Sequence, residues 1–216
     1  MDTVFFDMDG TLIDTEKYYN VCWHEAITKF GYAITREEAL ELRSLGRPHV
    51  YRFFEEKYGK GFPYDEVRAY RKQIMEDMIK RDGIAVKPGA KELLSWLKKH
   101  HIRCMIATAT DLERTKRYLK QTGLAPYFDE LISAVMVKQG KPSPDIYLLA
   151  CEKAGRAPED CIAVEDSPNG VHAAAAAGCH VFMVPDLSEP DEETRALCDG
   201  VFDSLMELKK YFVSIS

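Results

Sequence analysis

Val4-Phe5-Phe6-Asp7-Met8-Asp9-Gly10-Thr11 (residues 4–11) sets an unbroken apolar run directly against two carboxylates one residue apart. Large apolar side chains in succession, stopped by a glycine turn, are the pattern of a strand buried on both faces. Asp7 and Asp9 then stand at its carboxyl end. Like charges this close raise each other's pKa unless something offsets them, so their placement needs a chemical reason.

Similar runs recur after residue 84, at 104–107, 131–133, 161–164 and 181–184. Helical stripes separate them: Ala90, Leu93, Leu94 and Leu97; Leu112, Thr115 and Leu119; Ile146, Leu149 and Ala150. This alternation predicts an α/β fold with a doubly wound parallel sheet. Residues 15–83 contain no strand-like run. They carry helical stripes at Trp23, Ala26, Ile27 and Phe30, at Val50, Phe53 and Phe54, and at Val67, Tyr70, Ile74 and Met78. Thr35-x-x-Glu38 is a capping-box pattern that opens a further helix. The expected organisation is a core domain from residues 1–14 and 84–216, interrupted by an all-helical cap at 15–83. Turn formers at 81–83 and 87–89 mark the return to the core.

With 46% hydrophobic and 30% charged residues in 216, the composition is that of an ordinary globular protein. A net charge of −6 disfavours non-specific nucleic-acid binding, and the acid excess lies in the α/β part. No basic stretch precedes the first apolar run, so no signal peptide is expected. The longest small-or-apolar stretch, 171–184, is broken by two His and a Gly, so no membrane span is expected. The six Cys form no C-x-x-C and read as reduced thiols of a cytoplasmic protein. A monomer or a small homo-oligomer both fit.

Open α/β sheets bind ligands at the carboxyl ends of their strands. There stand Asp7 and Asp9, then Thr108-Ala109-Thr110, then Glu165-Asp166 followed by Ser167-Pro168, a helix start with Ser as N-cap. Lys141 joins them from Gly140-Lys141-Pro142-Ser143-Pro144-Asp145; Lys138 reads as solvated. Four carboxylates without His or Cys suit a hard cation such as Mg²⁺. A cation keeps Asp7 ionised, and a positioned carboxylate can attack phosphorus to give an aspartyl-phosphate. Asp9, on the same side of an extended segment, could protonate the leaving oxygen and then activate water. Thr108 could hold a phosphoryl oxygen and Lys141 balance the charge that builds there.

Asp7-x-Asp9-Gly10-Thr11, Thr108, Lys141-Pro142-x-Pro144-Asp145 and Glu165-Asp166-Ser167-x-x-Gly170 resemble, in order, the four motifs of the haloacid dehalogenase (HAD) superfamily. The likeness spans the whole chain. It is strongest to the branch holding β-phosphoglucomutase and small-metabolite phosphatases, which inserts a helical cap after the first motif. It implies Asp7 as nucleophile, Asp9 as general acid/base, Thr108 as phosphate-binding hydroxyl and Lys141 as the cation. It also implies Mg²⁺ on Asp7, the Asp9 main-chain oxygen, Glu165 and Asp166.

The expected activity is Mg²⁺-dependent hydrolysis of a small phosphorylated metabolite. A phosphomutase is the alternative within the branch, and a non-catalytic phosphate-binding or regulatory module the alternative outside it. The dehalogenase branch lacks the second acid, which Asp9, Glu165 and Asp166 argue against. A regulatory module would be expected to have lost a reacting group, and none is missing. Candidate substrate contacts are Ala109 on the core rim and Tyr19, Arg47 and His49 on the cap. In the mutase that the branch contains, a His would stand at Tyr19 and an Arg would end the loop that here reads Gly46-Arg47-Pro48-His49. Both departures favour the phosphatase.

Overall fold

The computed structural model describes residues 2–215. Strand β1 (Thr3–Phe6) leads into three helices, α1 (Glu16–Lys29), α2 (His49–Tyr58) and α3 (Tyr64–Asp82). The α/β alternation then runs α4 (Ala90–Lys99), β2 (Arg103–Thr108), α5 (Leu112–Thr122), β3 (Glu130–Ser133), α6 (Asp145–Ala154), β4 (Cys161–Glu165) and α7 (Pro168–Ala177). It closes with β5 (His180–Met183), α8 (Glu192–Ala196), β6 (Gly200–Val201) and α9 (Leu205–Ser214).

The strands pair in parallel in the order β3-β2-β1-β4-β5-β6. Order reverses between β1 and β4, and a crevice opens at the carboxyl ends of strands at such a switch point. Phe6 is in register with Val164 of β4 and with Ile106 of β2. Asp7 therefore leaves β1 between the ends of both neighbours, and its N–H donates to Val164 O at 3.0 Å. The pleat sends alternate side chains to opposite faces. Val4 and Phe6 pack with α4, α5 and α9, while Phe5 packs with α6 and α7.

The helical insertion builds its own apolar cluster from Trp23, Ile27, Leu42, Val50, Phe54 and Val67. Its roots do not separate cleanly from the core. Tyr18 and Cys22 of α1, with Met75 and Ile79 of α3, belong to the sheet's cluster. Chain entry and exit pair as a neck: Asp14 N–H donates to Ala85 O at 2.9 Å and Lys87 N–H to Leu12 O at 2.9 Å.

Three local expectations change. The Thr35–Glu38 capping box forms, with Thr35 N–H on Glu38 Oε2 at 2.8 Å and Glu38 N–H on Thr35 Oγ1 at 3.1 Å. It opens a 3₁₀ turn, Glu38–Leu42, instead of an α-helix; Ala39 and Leu42, three apart, are eclipsed on such a turn and both are buried. Strand β6 has only two residues and no apolar run to announce it. Helix α3 buries Tyr64, Val67, Arg71, Met75 and Ile79, so Tyr70, Ile74 and Met78 flank the buried stripe instead of filling it. Among the described residues no helix is long and apolar enough to cross a membrane.

Candidate active site

Lys141, in the loop before α6, lies at the centre of the acids. Its Nζ donates to Asp7 Oδ1 at 2.5 Å, to Glu165 Oε1 at 2.6 Å and to Ala107 O at 2.9 Å. The Tyr147 hydroxyl, from α6, donates to the same Glu165 oxygen. Lys141, Asp7, Glu165 and Asp166 are all buried. Burial alone would lower the lysine pKa, but the Asp7 and Glu165 carboxylates outweigh it and hold Lys141 above its ordinary value. The structure thus brings Lys141, and not Lys138, to Asp7.

Burial pushes Asp7 well above the usual carboxylate range; Lys141 opposes this, and Glu165, Asp166 and Asp9 add to it. Asp166 is pushed up to about 7 by burial, then by Glu165, against Arg43. Burial also raises Asp9, moderated by two hydroxyl donors. Thr15 reaches Asp9 Oδ1 at 2.6 Å and Thr110 reaches Oδ2 at 2.7 Å. These bonds hold the Asp9 carboxylate apart from the trio Asp7, Glu165 and Asp166, whose ligand oxygens lie within 4.8 Å of one another.

The trio fits a metal. Asp7 Oδ2, Glu165 Oε2 and Asp166 Oδ2 are buried with no hydrogen-bond partner among the described residues. An unpaired buried carboxylate oxygen is costly, and three clustered carboxylates without His or Cys suit a hard divalent cation. The motif glycines make room for this crowding. A Cβ on Gly10, at φ +83°, would fall 2.4 Å from Asp166 Oδ2, and one on Gly170 would fall 2.0 Å from Glu165 Oε2.

Above the trio, a cavity of about 410 Å³ opens between the sheet rim and the insertion. Thr108, Ala109 and Asp9 line its core side, and Tyr19 and Arg47 its cap side. Thr108 Oγ1 accepts from Thr110 N–H at 3.1 Å. Thr110 gives its own proton to Asp9, so the Tyr19 hydroxyl, 3.1 Å away, donates to Thr110. The N-cap of α5 is Asp111, which accepts from Arg114 N–H at 3.1 Å. Arg47 is turned outward: its guanidinium pairs with Asp65 at 3.1 Å and lies over the Tyr51 ring. His49 is not among the residues lining the cavity. Its Nε2 sits 2.9 Å from Ser143 Oγ, and the residue lines a second cleft.

Residues that sequence patterning passed over complete the site. Glu16, in the first turn of α1, is buried and raised well above the usual range by burial and by Asp166 and Asp9. Arg43, just past the 3₁₀ turn, places Nη1 3.9 Å from Asp166 Oδ2 and donates to Ser188 Oγ. Arg114 donates to Tyr19 Oη at 3.3 Å, and Arg71 lines the cap side. An acid in a helix's first turn and single arginines among other charged residues look like ordinary surface residues; only the fold buries them.

A doubly wound sheet with an acid cluster at its switch point, roofed by an inserted helical unit, defines a capped α/β enzyme. The family model for haloacid dehalogenase-like hydrolase matches residues 1–178. The chain belongs to that family. It is 33% identical over 188 residues to a phosphorylated carbohydrates phosphatase of Thermotoga maritima, covering 82% of each chain. It is 34% identical over 192 residues to hexitol phosphatase A of Escherichia coli, covering 86% of this chain and 87% of that one. The crystal structure of CbbY from Rhodobacter sphaeroides in complex with phosphate superposes with a TM-score of 0.80 at 30% identity, covering 96% of both chains. The chain is accordingly an enzyme of the hydrolase class, and relatives of nearly its own length are phosphatases.

Proposed function

We propose that this protein is a Mg²⁺-dependent phosphatase of small phosphorylated metabolites, sugar or polyol phosphates above all, working through an aspartyl-phosphate on Asp7. One observation carries the reading: at the cavity floor Asp7 has one carboxylate oxygen held by Lys141 and the other buried without a partner. The relatives named for phosphorylated carbohydrates and hexitols point the same way.

A carboxylate oxygen of Asp7 attacks phosphorus, and the ester P–O bond breaks as the Asp7 O–P bond forms. Asp9, whose raised pKa suits a proton donor, gives its proton to the leaving alkoxide. It then takes a proton from the water that attacks the aspartyl-phosphate, which releases inorganic phosphate and restores Asp7. Thr15 and Thr110 orient Asp9 through both steps. Thr108 and the Ala109 amide hold phosphoryl oxygens, and Lys141 offsets the charge gathered on them. Mg²⁺ on Asp7, the Asp9 main-chain oxygen, Glu165 and Asp166 would relieve the mutual repulsion of the acids and draw charge from the phosphoryl group. Residues 15–83 act as a lid that excludes bulk water. Two positions weigh against the mutase: Tyr19, at the position of its His, has a pKa raised by burial, and His49 is turned to another cleft. Six free thiols, five of them buried, support a reducing, cytoplasmic setting.

Hydrolysis of p-nitrophenyl phosphate tests the reading. Turnover should require Mg²⁺, stop on chelation and return when the metal is restored. Full-rate hydrolysis by the chelated enzyme would overturn it.

A further inference from the structure

We propose that the insertion carries a second anion-binding site built on Arg71, so that the preferred substrate is a phosphate ester with a further phosphate or carboxylate at its far end. The inference rests on the phosphatase reading and narrows its substrate class.

Helix α3 turns Arg68, Arg71 and Lys72 toward the cavity, a spacing that puts three cations on one helical face. Arg71 is only 4% exposed and takes a core position between Val67 and Met75. Its guanidinium lies 4.7 Å from the Tyr19 ring centroid and 4.9 Å from that of Trp23. Nη1 donates to the Met75 sulfur at 3.5 Å, a weak acceptor, and Nε has no hydrogen-bond partner among the described residues. The nearby acids are committed elsewhere: Asp111 to Lys72 and Arg114, and Glu76 to Arg114 and Arg117. The charged neighbours that act on Arg71 most, Tyr19 aside, are two more cations, Arg114 and Arg68.

A buried charge without a counter-ion is expensive, and apolar residues of similar size often replace buried charges at no cost. Packing against Tyr19 and Trp23 alone would be served as well by a Met. What an Arg adds is a planar fork that takes a phosphate or carboxylate in two parallel hydrogen bonds. The two rings fix the plane of that fork, and the free Nε belongs to it.

The position fits a substrate held at both ends. Tyr19 connects through Thr110 to Asp9 on the core side, and Arg71 stacks on the same ring from the cap side. A phosphoryl group on Asp7 and an anion on Arg71 would occupy opposite walls of a cavity of about 410 Å³, a size that takes a small carbon skeleton between them.

Matched substrates test this. Fructose 1,6-bisphosphate against fructose 1-phosphate reads a second phosphate, and 3-phosphoglycerate against glycerol 3-phosphate reads a carboxylate. In at least one pair the wild-type kcat/KM should favour the doubly anionic member tenfold or more. Arg71→Met should cut that preference below threefold, mainly through KM, and Arg71→Lys should retain part of it. Preferences below threefold in both pairs for the wild type would overturn the proposal. So would an Arg71→Met that lowers both members of each pair equally, the mark of a structural role. If Arg71→Met does not fold, the wild-type preference and its partial retention in Arg71→Lys decide. If no ester is hydrolysed, the phosphatase reading falls on its own, and calorimetric binding of the same pairs to Asp7→Asn still reads the second site by the same ratios.

Discussion

Removing the charge of Asp166 should stabilise the metal-free protein, and increasingly so as pH rises. Burial and Glu165 lift this carboxyl from 3.8 to about 7. Between those values the folded chain binds more protons at this site than the unfolded chain. Its contribution is therefore fully present below pH 3.8 and lost as pH climbs toward 7. Between about pH 4.5 and pH 7.5 the loss amounts to about 3 kcal/mol. Asp166→Asn has no such proton to lose. Under chelation, its Tm advantage over wild type should widen by roughly 6–12 °C across that range, taking about 2–4 °C per kcal/mol for a chain of this size. Mg²⁺ should reverse the order. At about 1,000 times its Kd a ligand adds about 4.1 kcal/mol to the protein that binds it, more than that loss, and the variant, short of one ligand oxygen, should gain far less. Thermal and urea melts of both proteins at the two pH values, with chelator and with Mg²⁺, measure all of this. Parallel stability–pH curves under chelation, or an equal gain from Mg²⁺, would refute the reasoning.

Asp7→Asn should abolish turnover of p-nitrophenyl phosphate while the protein still folds, because Asn keeps an acceptor for Lys141; more than half of wild-type activity would remove Asp7 from the nucleophile's role. Gly46→Ala should raise KM and lower kcat together. A Cβ on Gly46 would fall 2.5 Å from Gly140 Cα, wedging the seam where Gly46 N–H meets Lys141 O at 2.8 Å and Gly140 N–H meets Arg47 O at 2.6 Å; kinetics within twofold of wild type would show that closing this seam is not needed for turnover. Given β-glucose 1-phosphate and catalytic β-glucose 1,6-bisphosphate, the enzyme should release free phosphate faster than it forms glucose 6-phosphate. Phosphorus NMR follows both, and the opposite order would make it a mutase.

What was legible from sequence was local. Strands β1 to β5 announce themselves as short runs of consecutive apolar residues, and the residues that follow them converge because parallel strands share a carboxyl rim. Asp7, Thr108, Lys141, Glu165 and Asp166 could be gathered on that ground before any coordinate was known. The cap resisted for a physical reason. Arg47 and His49 are two residues apart, yet one stays on the cavity rim and the other turns to a different cleft. The register of Gly46 against Gly140 and Lys141 fixes which way each points, and that register is non-local. Helix α3 is the sharper case. Its hydrophobic pattern reads Val67, Tyr70, Ile74, Met78, whereas the buried stripe is Val67, Arg71, Met75, Ile79. A periodicity argument assigns every charge to solvent, so a cation inside the stripe rotates the inferred face by about one residue. Polar residues on the inner face of a lid are kept by what the lid closes over, and local pattern and fold should disagree where that function lies. The one-residue error in α3 falls on Arg71, the buried cation that no carboxylate among the described residues pairs with.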